Sequence, residues 1–195
     1  SNFSFFDKKE GTKILMLEKI ILLNSRLSYI HPNKLISIEA ASKKLILKIT
    51  VNGKTSIDIK GNLFAKQLQV GNTNYLNQKN LLIESTLLHV YDTLNIIESK
   101  LNIEDIKTTI NGKISGNFAH LHIDAQQQNI ASIITHMPEH FQKVCRNFIA
   151  NGTISSSSVI KGIISKEHNP SFSMKYDITK GHFKLKKMPF LLKNV

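Results

Sequence analysis

The feature that most constrains this chain is a period of two. Leu45, Leu47, Ile49 and Val51 fall on one side of an extended backbone, while Lys44, Lys48 and Thr50 fall on the other. Only a strand sends successive side chains to opposite faces. Phe172, Met174, Tyr176 and Ile178 repeat the pattern, with Lys175 facing away. Between the run at 44–51 and the one carrying Ile57 and Ile59 sits Asn52-Gly53. A two-residue hairpin turn asks both residues for positive φ, which Asn and Gly accept. Asn111-Gly112 and Asn151-Gly152 repeat the pair, and Gly61-Asn62, Gly71-Asn72 and Gly116-Asn117 reverse it. The stretches Val51-Asn52-Gly53-Lys54 and Ile110-Asn111-Gly112-Lys113 form an internal echo without a fixed period. Strands are expected near 13–23, 26–30, 35–40, 44–51, 54–60, 62–70, 81–91, 93–99, 101–110, 118–125, 153–164, 171–179 and 181–187. That predicts a mainly β fold: a large, curved antiparallel sheet, groove-like or a partly open barrel.

One segment leaves this period. Ile130, Ile133, Ile134, Met137, Phe141, Val144, Cys145 and Phe148 recur at three- and four-residue steps, a single helical stripe. Pro138 interrupts it, because proline lacks an amide donor and clashes with the preceding turn. The spacing predicts a short helical hairpin near 129–148, one helix over 129–136 and another over 138–148 with Pro138 in its first turn. Cys145 falls on the apolar side and is expected to be buried.

Charge enters next. The 195 residues carry 26 Lys+Arg against 14 Asp+Glu, a net charge of +12. Such an excess points first to nucleic acid or anionic lipid. However, 24 of the cations are Lys and only Arg26 and Arg146 are Arg, whereas base readout leans on the planar guanidinium fork. With 27 Ile and 18 Asn, part of the lysine content fits codon bias in an A/T-rich genome. No specific nucleic-acid partner is expected. The single cysteine excludes an intrachain disulfide. No run of 18 apolar residues is present, and the start has no signal-peptide layout. The chain reads as one β-rich module over 1–195, excised from a longer protein, with Ser1-Asn2 a tag remnant.

Motifs for chemistry are sparse. His136-Met137-Pro138-Glu139-His140 matches the inverted zinc-peptidase pattern H-x-x-E-H. Pro138 breaks the helix that would align the two imidazoles, and Met137 and Phe141 claim the apolar face, so both histidines are expected at the surface. His120 and His122 share one face of a strand and are expected to be solvated. Gly53-Lys54-Thr55 resembles the tail of a phosphate loop but lacks the upstream glycine, since position 48 is Lys. Ser155–Ser158 has no nucleophile elbow around it. Carboxylates are scattered singly. No catalytic residue, metal site or cofactor is assigned, and the chain is expected not to be an enzyme.

The order of elements from about 108 onward resembles the C-terminal region of AsmA-like proteins of Gram-negative envelopes. The residues that carry it are the strand Leu121–Asp124, the helix Asn129–His136, Met137-Pro138, Gly152-Thr153-Ile154, Ile160-Lys161-Gly162, and the pair Phe172…Tyr176 and Gly181-His182-Phe183 leading to Met188-Pro189. Upstream, Leu22–Tyr29 is similar to that family's strand-rich body. The resemblance implies a periplasmic protein tethered to the inner membrane by an anchor outside this fragment, linked to outer-membrane assembly and similar to bridge-like lipid transfer proteins. Its partners would be phospholipid or another acyl-chain lipid, and envelope proteins or adjacent repeats of the same chain. Candidate lipid-groove or core residues are Leu45, Leu47, Ile49, Ile57, Ile59, Phe172, Met174, Tyr176 and Ile178. The alternative is a protein-interaction or scaffold module of the envelope, whose sheet edges pair with neighbours.

Overall fold

A computed structural model describes residues 15–31, 36–165, 168, 170–186 and 191–193. Ten strands follow one another in chain order and pair antiparallel with their sequence neighbours, forming a single meander. They are β1 (Leu15–His31), β2 (Ile36–Val51), β3 (Thr55–Val70), β4 (Thr73–Val90), β5 (Thr93–Ile103), β6 (Ile106–Ser115), β7 (Phe118–Asn129), β8 (Phe148–Ile163), β9 (Ser171–Leu185) and the three-residue β10 (Leu191–Lys193). Two short helices, α1 (Ile130–His136) and α2 (Glu139–Cys145), stand between β7 and β8. The mainly β, antiparallel reading and the helical hairpin are both met. The sheet is open and uncurled: β1 and β10 stand at opposite ends of the strand order and do not meet. With neither closure nor a second sheet, nothing among the described strands layers over them.

The strands are fewer and longer than expected. The runs 13–23 and 26–30 merge into β1, 35–40 and 44–51 into β2, 54–60 and 62–70 into β3, and 171–179 and 181–187 into β9. In β1, β2 and β9 the break is an irregularity inside a continuous strand; in β3 the pairing runs straight through Gly61. Asn24 and Lys180 take positive φ, and the β2–β3 register slips between Ala41 and Lys44. Such slips admit an extra residue and increase local twist without ending the strand. Conversely, the run 101–110 is cut by the turn Glu104-Asp105, and β4 begins at Thr73, well before the expected 81.

Of the Asn-Gly pairs, only Asn52-Gly53 makes a hairpin turn. Asn111-Gly112 and Asn151-Gly152 lie inside β6 and β8. Gly112 is there for close approach: at φ +137°, an added Cβ would sit 2.1 Å from the His120 carbonyl oxygen. Gly71-Asn72 and Gly116-Asn117 do turn the chain.

β5 and β6 have 11 and 10 residues, against 16 to 18 in β1–β4. Beyond their ends, Thr73–Asn80 of β4 has no β5 partner, and the helices occupy that side of the sheet. Asn129 caps α1 by accepting from the Ser132 amide at 3.2 Å. The Pro138 break is held by Gln142, whose Nε2 donates to Thr135 O (2.9 Å) and Met137 O (2.7 Å). The side chain of His136 is 18% exposed. Lys79 donates to its Nδ1 (2.9 Å) and its Nε2 meets Asp105 Oδ1 at 3.2 Å, with Ser132 Oγ also donating to Asp105. This corrects the expectation of a surface histidine. Phe141 and Val144 are the exposed ones, at 47% and 69%. The reason is that α1 docks by a polar clamp onto β4 and the β5–β6 turn, while α2 extends past it. Cys145 is half-buried rather than buried.

Candidate functional site

Directly opposed residues in antiparallel strands share a face. Following the pairings across the sheet therefore sorts the side chains into rows. One row runs Leu17, Ile49, Ile57, Leu87, Ile96, Gly112, Leu121, Ile160, Phe172. The next runs Ile20, Leu47, Ile59, Ser85, Ser99, Ile110, Ile123, Ser158, Met174. Leu22, Leu45, Gly61, Ile83 and Leu101 add a third. These rows form one continuous apolar face. Its few hydroxyls satisfy one another where they can, as Ser85 Oγ and Ser99 Oγ do at 2.5 Å.

All nine candidate residues lie on this face. Leu45, Leu47 and Ile49 oppose Gly61, Ile59 and Ile57 at one end. Phe172, Met174, Tyr176 and Ile178 oppose Ile160, Ser158, Ser156 and Ile154 at the other. Six strand steps separate β3 from β9, roughly 29 Å at the usual spacing, so the two clusters belong to one face without touching. Leu45 alone is buried, at 5%. Phe172 and Tyr176 are 63% and 62% exposed. The middle of the face (Leu87, Ile96, Leu121, Ile160) was not singled out from sequence, although its alternation carries the same signal. Among the described residues no large side chain is wholly buried. Phe172, Met174 and Tyr176 are exposed, Leu45 is buried, and the other five are half-buried.

The reverse face carries the charges, although Ile21, Leu23, Ile46, Phe64, Leu82 and Leu88 share it. Lys48, Asp58, Thr86 and Glu98 make one row, and Thr86 Oγ1 donates to Asp58 at 2.8 Å. Lys60, Glu84, Lys100, Thr109 and Asp124 make another, with Lys60 Nζ and Glu84 Oε1 3.1 Å apart. Two hollows indent this side. One of about 690 Å³ is lined by Arg26, Lys44, Asn62, Asn80, Asn102 and Glu104, among others; one of about 430 Å³ includes Glu84, Lys100, Lys107 and Asp124. The backbone and side-chain amides of Asn80 donate to Glu104, and the backbone bond is the main reason its carboxyl sits below the ordinary range. Ser132 does the same for Asp105.

His120 and His122 share the polar face, as their spacing predicts, with ring centroids 4.9 Å apart. Desolvation, then the charges of His122, Lys161 and Lys113, hold His120 below the usual imidazole value. The side chain of His140 lies outside the described residues, as do Met188 and Pro189. Among the described residues no group of three or more His, Cys, Asp or Glu side chains could hold a metal ion. No helix among them is long and apolar enough to cross a membrane. No protein-family model matches the chain. No curated protein matches it, and no solved structure does.

Proposed function

We propose that this chain is a non-enzymatic module of an AsmA-like periplasmic protein that binds or conducts phospholipid along its apolar face in support of outer-membrane biogenesis. The observation that carries the reading is the apolar face, which no other described strand covers: two rows crossing nine strands, mostly Leu and Ile, with Ser85, Ser99 and Ser158 in the second. An open surface of this extent, spanned by half-exposed Leu, Ile and Phe, must meet lipid, another module or a second copy. Acyl chains suit it because the rows are mostly aliphatic and free of charge. Each half-buried aliphatic side chain brought fully out of water stabilises such a complex by about 1 kcal/mol.

The test is gentle purification followed by native mass spectrometry and lipid extraction. Phospholipid should accompany the wild-type chain, and a Leu47→Asp/Ile57→Asp variant should carry about tenfold less, as a lost 1–2 kcal/mol requires. A monomeric wild-type chain free of lipid overturns the reading.

The scaffold reading has its own observation. No described strand pairs with the outer edge of β1, whose 17 residues include exposed Leu15, Met16, Leu17, Ile21, Leu23 and Ile30. Long apolar edges invite strand addition. Lipid-free assembly that Ile21→Pro dissolves would favour it.

A further inference from the structure

We propose that Lys113, His120 and Lys161, with His122 beside them, form a binding site for a phosphate-bearing anion on the polar face. Lys113 on β6 opposes His120 on β7, and His120 opposes Lys161 on β8. Three cationic or protonatable groups thus stand abreast on adjacent strands, about 5 Å apart at the backbone. Elsewhere on this face a lysine opposes a carboxylate: Lys60 opposes Glu84, and Lys48 opposes Asp58. Here two lysines flank a histidine with no carboxylate opposite, and protonating His120 would set like charges directly opposite one another, which destabilises a sheet.

Among the described residues neither Lys113 nor Lys161 has an ion pair. The row is flanked by Asn95 on β5 and Ser171 on β9, both uncharged. His122 is flanked by Asn111 and Val159, and Asp124 stands two residues farther along β7 on the same face. The carboxylate of Asp92, in the β4–β5 turn, accepts from Thr93 and Ser115 hydroxyls instead. Two flexible ammonium stems flanking an imidazole can converge on a single tetrahedral anion, and the anion removes their mutual repulsion. The site lies on the face opposite the apolar rows, so it stands or falls independently of lipid contact there.

The ligand chemistry is a phosphate monoanion or dianion, free or carried by a lipid headgroup. The intact chain, isotope-labelled, is titrated with inorganic phosphate, then with phosphatidylglycerol vesicles against phosphatidylcholine vesicles. Phosphate should shift resonances of 111–122 and 159–162 saturably. Lys113→Gln/Lys161→Gln should weaken the affinity about tenfold, the loss expected for charge-assisted bonds, while Lys60→Gln leaves it unchanged. Sulfate, whose charge is constant over this range, should bind more tightly as pH falls through the His120 midpoint; His120→Gln should weaken that dependence and His120→Gln/His122→Gln should abolish it. Saturation by phosphate alone assigns a soluble ligand; saturation by phosphatidylglycerol but not phosphatidylcholine assigns a headgroup. Linear shifts spread over all lysines, or equal affinity in the double variant, overturn the proposal.

Discussion

The two faces of this sheet are built by the same strands and solve opposite problems. On one, Leu17 to Phe172 runs across nine strands without a charge. On the other, Lys60, Glu84 and Lys100 alternate in sign so that neighbours attract. Strand geometry alone keeps them apart, since a one-residue slip would exchange every side chain between them. The charged face meets water through Lys60, Glu84 and their neighbours, with Ile21, Phe64 and Leu82 exposed among them. Among the described residues no second layer covers the apolar face. That asymmetry is why the apolar side is read as a contact surface. The polar side, apart from the Lys113–His120–Lys161 row, is read as a solvated exterior.

The largest effect should come from breaking the register that separates the faces. Gly112 sits on the apolar row between Ile96 and Leu121, with φ +137° and backbone too close for a Cβ. Gly112→Ala should cost on the order of 3 kcal/mol, by forcing the β6–β7 pair apart and straining the backbone. Chemical denaturation measures it, and an unchanged midpoint would refute the close-approach account. A smaller loss, about 1 kcal/mol, is expected from Asn129→Ala, which removes the cap of α1. Amide exchange should show it as faster opening of 130–136 with the sheet core unaffected.

Acid should act on the two regions of the polar side separately. Glu104 and Asp105 have carboxyl groups held low by Asn80 and Ser132. Their contribution is present above the ordinary carboxylate range and is lost as pH falls through the lowered folded values. Because Asp105 also meets His136, acid should loosen α1 before it melts β1–β3. His120 is held low as well. Its neutral form is favoured in the sheet, so stability is full above the ordinary imidazole value and falls as pH drops through the folded one. His120→Gln should flatten that upper step and leave the carboxylate step in place, in a denaturation series across pH.

Much of this was legible in the alternation. Leu45, Leu47 and Ile49 against Lys44 and Lys48 fixed which residues share a side. The break at Pro138 fixed the helical hairpin to within a few residues of its observed ends. What alternation cannot convey is whether a break ends a strand or bends it. Asn111-Gly112 and Asn52-Gly53 are the same dipeptide, yet one lies inside β6 and the other turns the chain. The neighbouring strand decides, through a close approach that no local pattern encodes. The His136 clamp was missed for the same reason. Its partners Lys79 and Asp105 lie 57 and 31 positions away and meet it only because β5 and β6 stop short. The Lys113–His120–Lys161 row likewise exists only in the register.

The smallest expected effect tests the contrast at its weakest point. Lys60 and Glu84 are opposed and paired at 3.1 Å, but their side chains are 64% and 55% exposed. Water screens such a pair, so its coupling should be about 0.5 kcal/mol or less. A double-mutant cycle with Lys60→Gln and Glu84→Gln measures it directly, because the cycle cancels the cost of changing either residue alone. The coupling should shrink further in high salt. If instead it exceeded about 1.5 kcal/mol, well beyond the range of exposed pairs, the polar face would be holding the sheet together by charge. The lysines of the β6–β8 row, each opposed to His120 and neither to a carboxylate, would then be a gap in that scheme for a bound anion to fill.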